Sequence, residues 1–201
     1  MQPELDEVIS RVGDAVARGD SEVIARAAYD LETAAMLSTK AVQEIAKATV
    51  RWLSTDDFRK ADGAWRILFV LRYDLHHLSD SERKDMFLAM IEAFPYLQDS
   101  MSRFIVSELA ELFATDWALD AVEAQIPTLD DERRRYVPHA LEHIALAATD
   151  DVIAARSFDR LIELLEDSAP EVKREAHLSI RRVANSRDKR FADAAQALID
   201  R

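Results

Sequence analysis

Apolar residues recur at intervals of three and four along almost the whole chain, the spacing that places them on one side of an α-helix. Together with residues that begin or end helices, this spacing predicts about eleven helices joined by short loops. Gly19 ends the first helix, Ser38 and Thr55 begin the third and fourth, and Ser79 with Glu82 forms a capping box. Further helices are predicted to start at Asp99, Asp116, Asp130, Asp150, Ala169 and Arg187. No segment has the pattern of a β-strand, so we expect an all-α protein.

Short loops place consecutive helices antiparallel, so the chain is predicted to fold as a series of hairpins. Five helices share a frame that begins at residue 23, 57, 101, 133 or 172 and has apolar or small residues at +4, +8, +11 and +12. The spacings between these frames lie around the period of about 40 residues found in two-helix repeats. Two frames depart from the pattern, because Asp57 and Arg133 stand where an apolar residue is expected.

Residues 161–184, "LIELLEDSAPEVKREAHLSIRRVA", carry more than periodicity. An apolar helix is followed by Asp167, Pro170, Val172, a basic residue and Ala176, and then by a second apolar helix. This segment resembles a HEAT repeat of the armadillo/HEAT type, whereas the rest of the chain matches only in period. The resemblance implies a right-handed α-solenoid of about five hairpins with a C-terminal capping helix, in one domain over residues 1–201. An irregular helical bundle is the alternative.

Composition narrows the classes of function. The net charge of −12 disfavours sequence-independent binding to nucleic acid, which depends on neutralising phosphates. The absence of cysteine excludes disulfides, thiol catalysis and cysteine-ligated zinc. The N-terminus lacks the features of a signal peptide, and no apolar run reaches the length of a membrane span, so we expect a cytoplasmic protein with no membrane partner.

The stretch "HALEH", residues 139–143, has the H-x-x-E-H letters of one class of zinc peptidases. His139 and His143 lie four residues apart and could hold a metal together. Pro138, placed inside the predicted helix, would disturb that geometry, and no third ligand is identifiable. On the helical frame His139 and Glu142 point away from the core. We therefore expect no metal, no cofactor and no catalytic residue here, and regard a non-enzyme as the better interpretation.

A row of basic residues is predicted on the face opposite the buried stripe, at frame positions +2, +6 and +9. In a solenoid these positions line the concave surface, which we propose as the partner-binding surface. Its residues are Tyr29, Arg59, Arg66, Arg103, Arg135, His139, Glu142, Arg174 and Arg181. Ion pairing between neighbouring repeats, for example of Asp167 with Lys173 or Arg174, is the alternative role for the arginines at +2.

These features favour a non-catalytic module that binds a protein on its concave face. An immunity protein or other inhibitor of a toxin or basic enzyme fits this description, and so does an adaptor. The alternative is DNA binding along the arginines, which would make the chain similar to the HEAT-like DNA glycosylases of bacteria. HEAT-like proteins also include lyases of bilin chromophores, although no residue of this chain indicates that activity.

Overall fold

The structure is a computed structural model that describes residues 5–35, 38–60, 65–70, 75–93, 114–186 and 189–200. Over these residues the regular secondary structure is helical throughout, which confirms the all-α class. The helices group into two compact units, Met1–Phe104 and Ile105–Arg201. The single domain over residues 1–201 stays a prediction, and the helix starts expected at Asp99 and Arg187 lie outside the described residues.

The described part of the first unit is built from helices that bury one stripe each. They are α1 (Leu5–Arg18), α2 (Ser21–Ala35), α3 (Thr39–Leu53), α4 (Asp56–Lys60), α5 (Trp65–Val70) and α6 (Asp80–Ala93), with a 3₁₀ turn at Leu75–His77. Helix α2 packs against α1, α3 and α5, and α3 also packs against α6. Fully buried side chains fill the space between them: Val12, Ile24, Leu31, Val42, Ile45, Phe58, Met86, Phe87 and Met90.

The second unit contains two hairpins of consecutive helices. Its described helices are α7 (Asp116–Gln125), α8 (Asp131–Arg134), α9 (Val137–Ala147), α10 (Asp151–Glu163), α11 (Pro170–Ala184) and α12 (Ala192–Ile199), with 3₁₀ turns at Ile126–Thr128 and Leu164–Glu166. The hairpins are α9 with α10 and α11 with α12, and α9 also packs against α11. The core consists of Leu119, Leu141, Ile144, Phe158, Leu161, Val172, Ile180 and Val183. No helix among the described residues of either unit is long and apolar enough to cross a membrane.

The predicted helix starts are confirmed where local hydrogen bonds decide them. The Ser79 hydroxyl accepts from the Glu82 backbone N–H at 3.3 Å, while the Glu82 carboxylate accepts from the Ser79 backbone N–H at 2.9 Å. Ser38 caps α3 by accepting from the Ala41 backbone N–H, and Asp150 caps α10 by accepting from the Val152 backbone N–H. These bonds satisfy donors that the first turn of a helix cannot pair internally.

The repeat frame is correct in the second unit and displaced at its start in the first. Val172 is fully buried as predicted, whereas Val23 is exposed and the adjacent Ile24 is buried in its place. Asp57 is likewise exposed, and Phe58 beside it is buried. In α2 and α4, therefore, the buried stripe begins one residue later than the frame predicts.

The effect predicted for Pro138 is wrong. Helix α9 begins at Val137, so Pro138 occupies its first turn, where a missing backbone N–H interrupts no helical hydrogen bond. A proline at this position leaves the helix around His139 and His143 regular. Proline is therefore no argument against a site formed by those two histidines.

An arginine and an aspartate join the two hairpins of the second unit. The Arg134 Nε and Nη2 atoms donate to the two Asp167 carboxylate oxygens at 2.9 and 3.0 Å. The Arg134 and Asp167 side chains are only 15% and 11% exposed. Asp167 also accepts from the Ala169 backbone N–H at the start of α11, and these donors lower its pKa, with Arg134 the main cause. An ion pair between neighbouring hairpins was expected for Asp167, but the partner is Arg134 rather than Lys173 or Arg174.

Arg190 forms a second connection, at the other end of α9. Its Nη1 donates to the Ala148 carbonyl at 2.8 Å, and its Nη2 donates to the Leu146 carbonyl at 3.2 Å. Carbonyls in the last turn of a helix have no partner within that helix, and a cation there also interacts favourably with the helix dipole. Arg134 and Arg190 thus hold the start and the end of α9 to residues that flank α11.

We predict that Arg134→Met lowers the free energy of unfolding by about 2 kcal/mol, because it leaves the half-buried Asp167 carboxylate without its main partner. Asp167→Asn should cost less, since an amide oxygen can still accept from Ala169. Urea denaturation of both variants and of the double variant measures the coupling between the two residues. If the two single effects simply add, the contact is not stabilising.

Candidate functional site

Helices α9 and α11 bring together polar side chains that are distant in the sequence, such as Glu142 and Arg182, which are 40 residues apart. Arg182 on α11 donates from Nη1 to the Glu142 carboxylate at 2.6 Å. The same nitrogen lies 3.1 Å from His139 Nδ1. We call this surface the α9–α11 face; it consists of His139, Glu142, Arg174, Glu175, Leu178, Arg181 and Arg182. The site is therefore formed by two neighbouring hairpins and not by one helix.

Glu142 lies beneath the guanidinium of Arg182. The Glu142 side chain is 6% exposed, whereas the side chain of Arg182 is 42% exposed. A buried carboxylate that loses its cation is strongly destabilising, so this contact holds Arg182 in place. The prediction that Glu142 points away from the core is wrong, because α11 covers it. The outcome is a cation held at the surface by an acid that solvent barely reaches.

His139 lies between the charged groups of the two helices. Its ring is within 3.9 Å of both the Glu142 and the Glu175 carboxylates. Burial lowers the pKa of His139, the adjacent Arg182 lowers it further, and the two glutamates oppose this only in part. The neutral ring can accept a hydrogen bond from Arg182, which a protonated ring could not.

The exposed side of α11 places a leucine among arginines. Leu178 is 38% exposed, although leucine is among the residue types most often buried. Arg174, Arg181 and Arg182 are spaced four, three and four residues from it, so all lie on the neighbouring turns of the same side of the helix. Arg174 is 63% exposed and pairs with Glu175 at 3.0 Å. Arg181 is exposed, and its side chain has no ion-pair or hydrogen-bond partner among the described residues.

Two arginines of the predicted concave row are turned back onto the protein. Arg59 donates from Nε to the Leu53 carbonyl at 2.6 Å. Arg135 donates to the Tyr136 hydroxyl at 2.7 Å, with its guanidinium 4.9 Å from the centre of the Tyr136 ring. Both side chains are half-buried. They are therefore not presented to solvent as the frame predicts.

The remaining predicted residues lie in the first unit or outside the described residues. Tyr29 on α2 is largely exposed, and Arg66 on α5 is exposed. Arg103 lies outside the described residues. The structure thus brings His139, Glu142, Arg174 and Arg181 together in the second unit, and a role for the others in binding stays a prediction.

The two histidines of "HALEH" stack within one helix. The ring centroids of His139 and His143 are 6.4 Å apart, and the planes differ by 20°. Among the residues that the structure describes, no group of three or more histidine, aspartate or glutamate side chains is arranged to hold a metal ion. The acid in this motif, Glu142, is already bound to Arg182.

Sequence analysis missed Arg182, which is the central residue of the face. By helical periodicity its frame position, +10, lies as far from the buried stripe as +9, but the predicted row includes only positions +2, +6 and +9. A signal was present: Glu142 stands at +9 of one frame and Arg182 at +10 of the next. Opposite charges at nearly equivalent positions of consecutive hairpins indicate a contact between them.

Comparisons with known proteins reveal the fold alone. No family model matches the chain, and no curated protein is significantly similar to it. Two crystal structures of engineered proteins from the Northeast Structural Genomics Consortium are similar. The first is 19% identical with a TM-score of 0.51, and the match covers 98% of this chain and 88% of the engineered chain. The second is 17% identical with a TM-score of 0.49, and the match covers 90% of this chain and 80% of the engineered chain. The first of these supports a helical fold and carries no information about a ligand.

We predict that acidification weakens the protein partly through His139. The folded state lowers the pKa of this residue below 6.5, so the unfolded state binds the proton first. Stability from the neutral ring is therefore complete above the unfolded pKa and is lost as the pH falls through 6.5 towards the folded pKa. Urea denaturation of wild type and His139→Gln between about pH 7.5 and about pH 5 should show a shallower pH dependence for the variant.

The control for this prediction is His177→Gln, because His177 is an exposed histidine of the same unit, in α11. It should keep the pH dependence of the wild type. An unchanged slope in His139→Gln would contradict the assignment of the effect to the α9–α11 face.

Proposed function

We propose that this chain is a non-catalytic protein-binding module, an α-solenoid of HEAT-like hairpins with its binding surface on the inner layer of helices. Two contacts support the solenoid: α2 packs against α5 in the first unit, and α9 packs against α11 in the second. Each pair consists of helices that share the repeat frame and are not consecutive. Stacking of equivalent helices from successive hairpins is how a solenoid builds its inner layer.

The observation that carries the binding proposal is the exposed Leu178 with three exposed arginines around it. Arginine is enriched among the residues that supply most of the energy at protein interfaces, and covering an exposed apolar side chain is favourable in proportion to the area removed from water. Arg182 is already held in one position by Glu142, so a partner has less side-chain freedom to restrict when it binds. An inhibitor of a toxin or enzyme, or an adaptor, would use a surface of this kind.

The DNA-binding alternative has less support. Binding along a basic groove requires arginines that can reach phosphates. Arg59 and Arg135, two arginines of the predicted row, are engaged with Leu53 and Tyr136 instead. The net charge of −12 adds repulsion from the phosphate backbone.

We predict that affinity capture from a source lysate at low salt, with nuclease present, yields a protein bound stoichiometrically to the tagged wild type. Arg181→Glu should reduce its recovery at least about tenfold, because charge reversal at an interface repels a complementary partner. Arg181 has no side-chain partner among the described residues, so this substitution removes no contact that they show.

Arg51→Glu is the matched control. Arg51 is also exposed, and it also lies in the last turn of a 15-residue helix, α3. This variant should capture the partner as the wild type does. Equal recovery with Arg181→Glu would contradict the proposed surface. Nucleic acid that co-purifies and disappears with nuclease or salt would favour the DNA-binding alternative.

A further inference from the structure

We infer that the α9–α11 face binds an acidic segment of its partner, with one apolar side chain placed between carboxylates. This inference rests on the proposed function and specifies the chemistry of the partner. The apolar centre of the face, the direction in which its charges point and the charge of the whole chain support it.

The apolar centre is Leu178. It is one of four large apolar residues that are exposed in the described part of the chain, and the one on the α9–α11 face. Covering its exposed surface with an apolar side chain is favourable in proportion to the area removed from water. A ligand with only charged groups would either leave the leucine exposed or lose the water around its own charges by lying over it. The partner should therefore present an apolar side chain here.

The charges around Leu178 are arranged with cations outside and acids beneath. The Glu142 carboxylate is almost fully buried under Arg182, and Glu175 is 19% exposed and pairs with the more exposed Arg174. Glu171, at the start of α11, is the one acid of this helix that is exposed, since Glu175 is covered. A partner that approaches Leu178 therefore meets the guanidinium groups of Arg174, Arg181 and Arg182 first. Guanidinium groups form their strongest hydrogen bonds with carboxylates and phosphates.

The net charge of the chain limits the size of an acidic partner surface. At −12 the protein as a whole repels a broad acidic surface. A short segment contacts only the face, and screening at physiological salt acts over about 8 Å, so the rest of the chain repels it little. The occupant is therefore a segment with local negative charge rather than an acidic protein surface.

The test uses a display library of random 12-residue peptides, selected on the full-length wild type and counter-selected on Arg181→Glu. Enriched peptides should carry a leucine, isoleucine, methionine or phenylalanine flanked by aspartate or glutamate. Fluorescence anisotropy then gives the Kd of the enriched peptides. We predict that Leu178→Ser and Arg181→Glu each raise the Kd about tenfold or more, whereas Arg51→Glu leaves it unchanged. Salt should weaken binding.

Peptides with no acidic bias, or with equal affinity for Leu178→Ser and wild type, would overturn the inference. So would full displacement of the peptides by random-sequence duplex DNA with a steep dependence on salt, since the anion would then be a phosphate backbone. The outcomes also distinguish failure of this inference from failure of the proposed function. A lysate protein that depends on Arg181, together with failure of acidic peptides, would reject only the acidic segment. Binding of acidic peptides without any such protein would support the inference and count against the proposed function.

Discussion

A carboxylate buried between two helices sets the arrangement of the second unit. Glu142 is almost fully removed from water, and an isolated charge in that environment would cost several kcal/mol. Only a cation delivered by the neighbouring hairpin compensates for this, and Arg182 is in hydrogen-bond contact. The pair fixes how α11 lies beside α9, because a shift by one turn would move the guanidinium about 5 Å away. The positions of His139 and Leu178 on the face depend on that register.

Three arginines join these hairpins, but their guanidinium groups differ in how far they remain exposed to solvent. Arg134 has its guanidinium engaged by Asp167, Asp131 and the Leu129 carbonyl, and it is nearly buried. Arg190 is directed at the carbonyls that end α9. Arg182 has the same chemistry, yet it stays two-fifths exposed above its acid. The exposure of the guanidinium therefore separates Arg134, which only stabilises the fold, from Arg182, which can also contact a partner.

The features that the sequence predicts correctly are those decided within one helix. The capping box of Ser79 and Glu82 and the buried positions of Leu141 and Ile180 depend on neighbours three or four residues away. The errors at Glu142 and Arg59 come from contacts that the helical period does not show, whereas those at Pro138 and at the frame starts of the first unit concern where a helix or its buried stripe begins. Glu142 lies opposite the buried stripe of α9, and periodicity therefore predicts exposure, but α11 covers that side. Arg59 is predicted on the concave surface, but its guanidinium turns back to the Leu53 carbonyl at the end of the preceding helix. Helical periodicity does not show that this carbonyl accepts a hydrogen bond from Arg59.

Formation of the α9–α11 face requires that both hairpins fold and pack. Its residues come from segments about 40 positions apart, and the Arg134–Asp167 and Arg190–Ala148 contacts hold the two ends of α9 to the segments that flank α11. Loosening either contact would relax the register that places Arg182 over Glu142, although neither touches the proposed ligand. Binding at the face is thereby coupled to the stability of the second unit. In Arg134→Met the affinity for an acidic segment should thus fall together with the free energy of unfolding, while in Arg181→Glu affinity should fall alone.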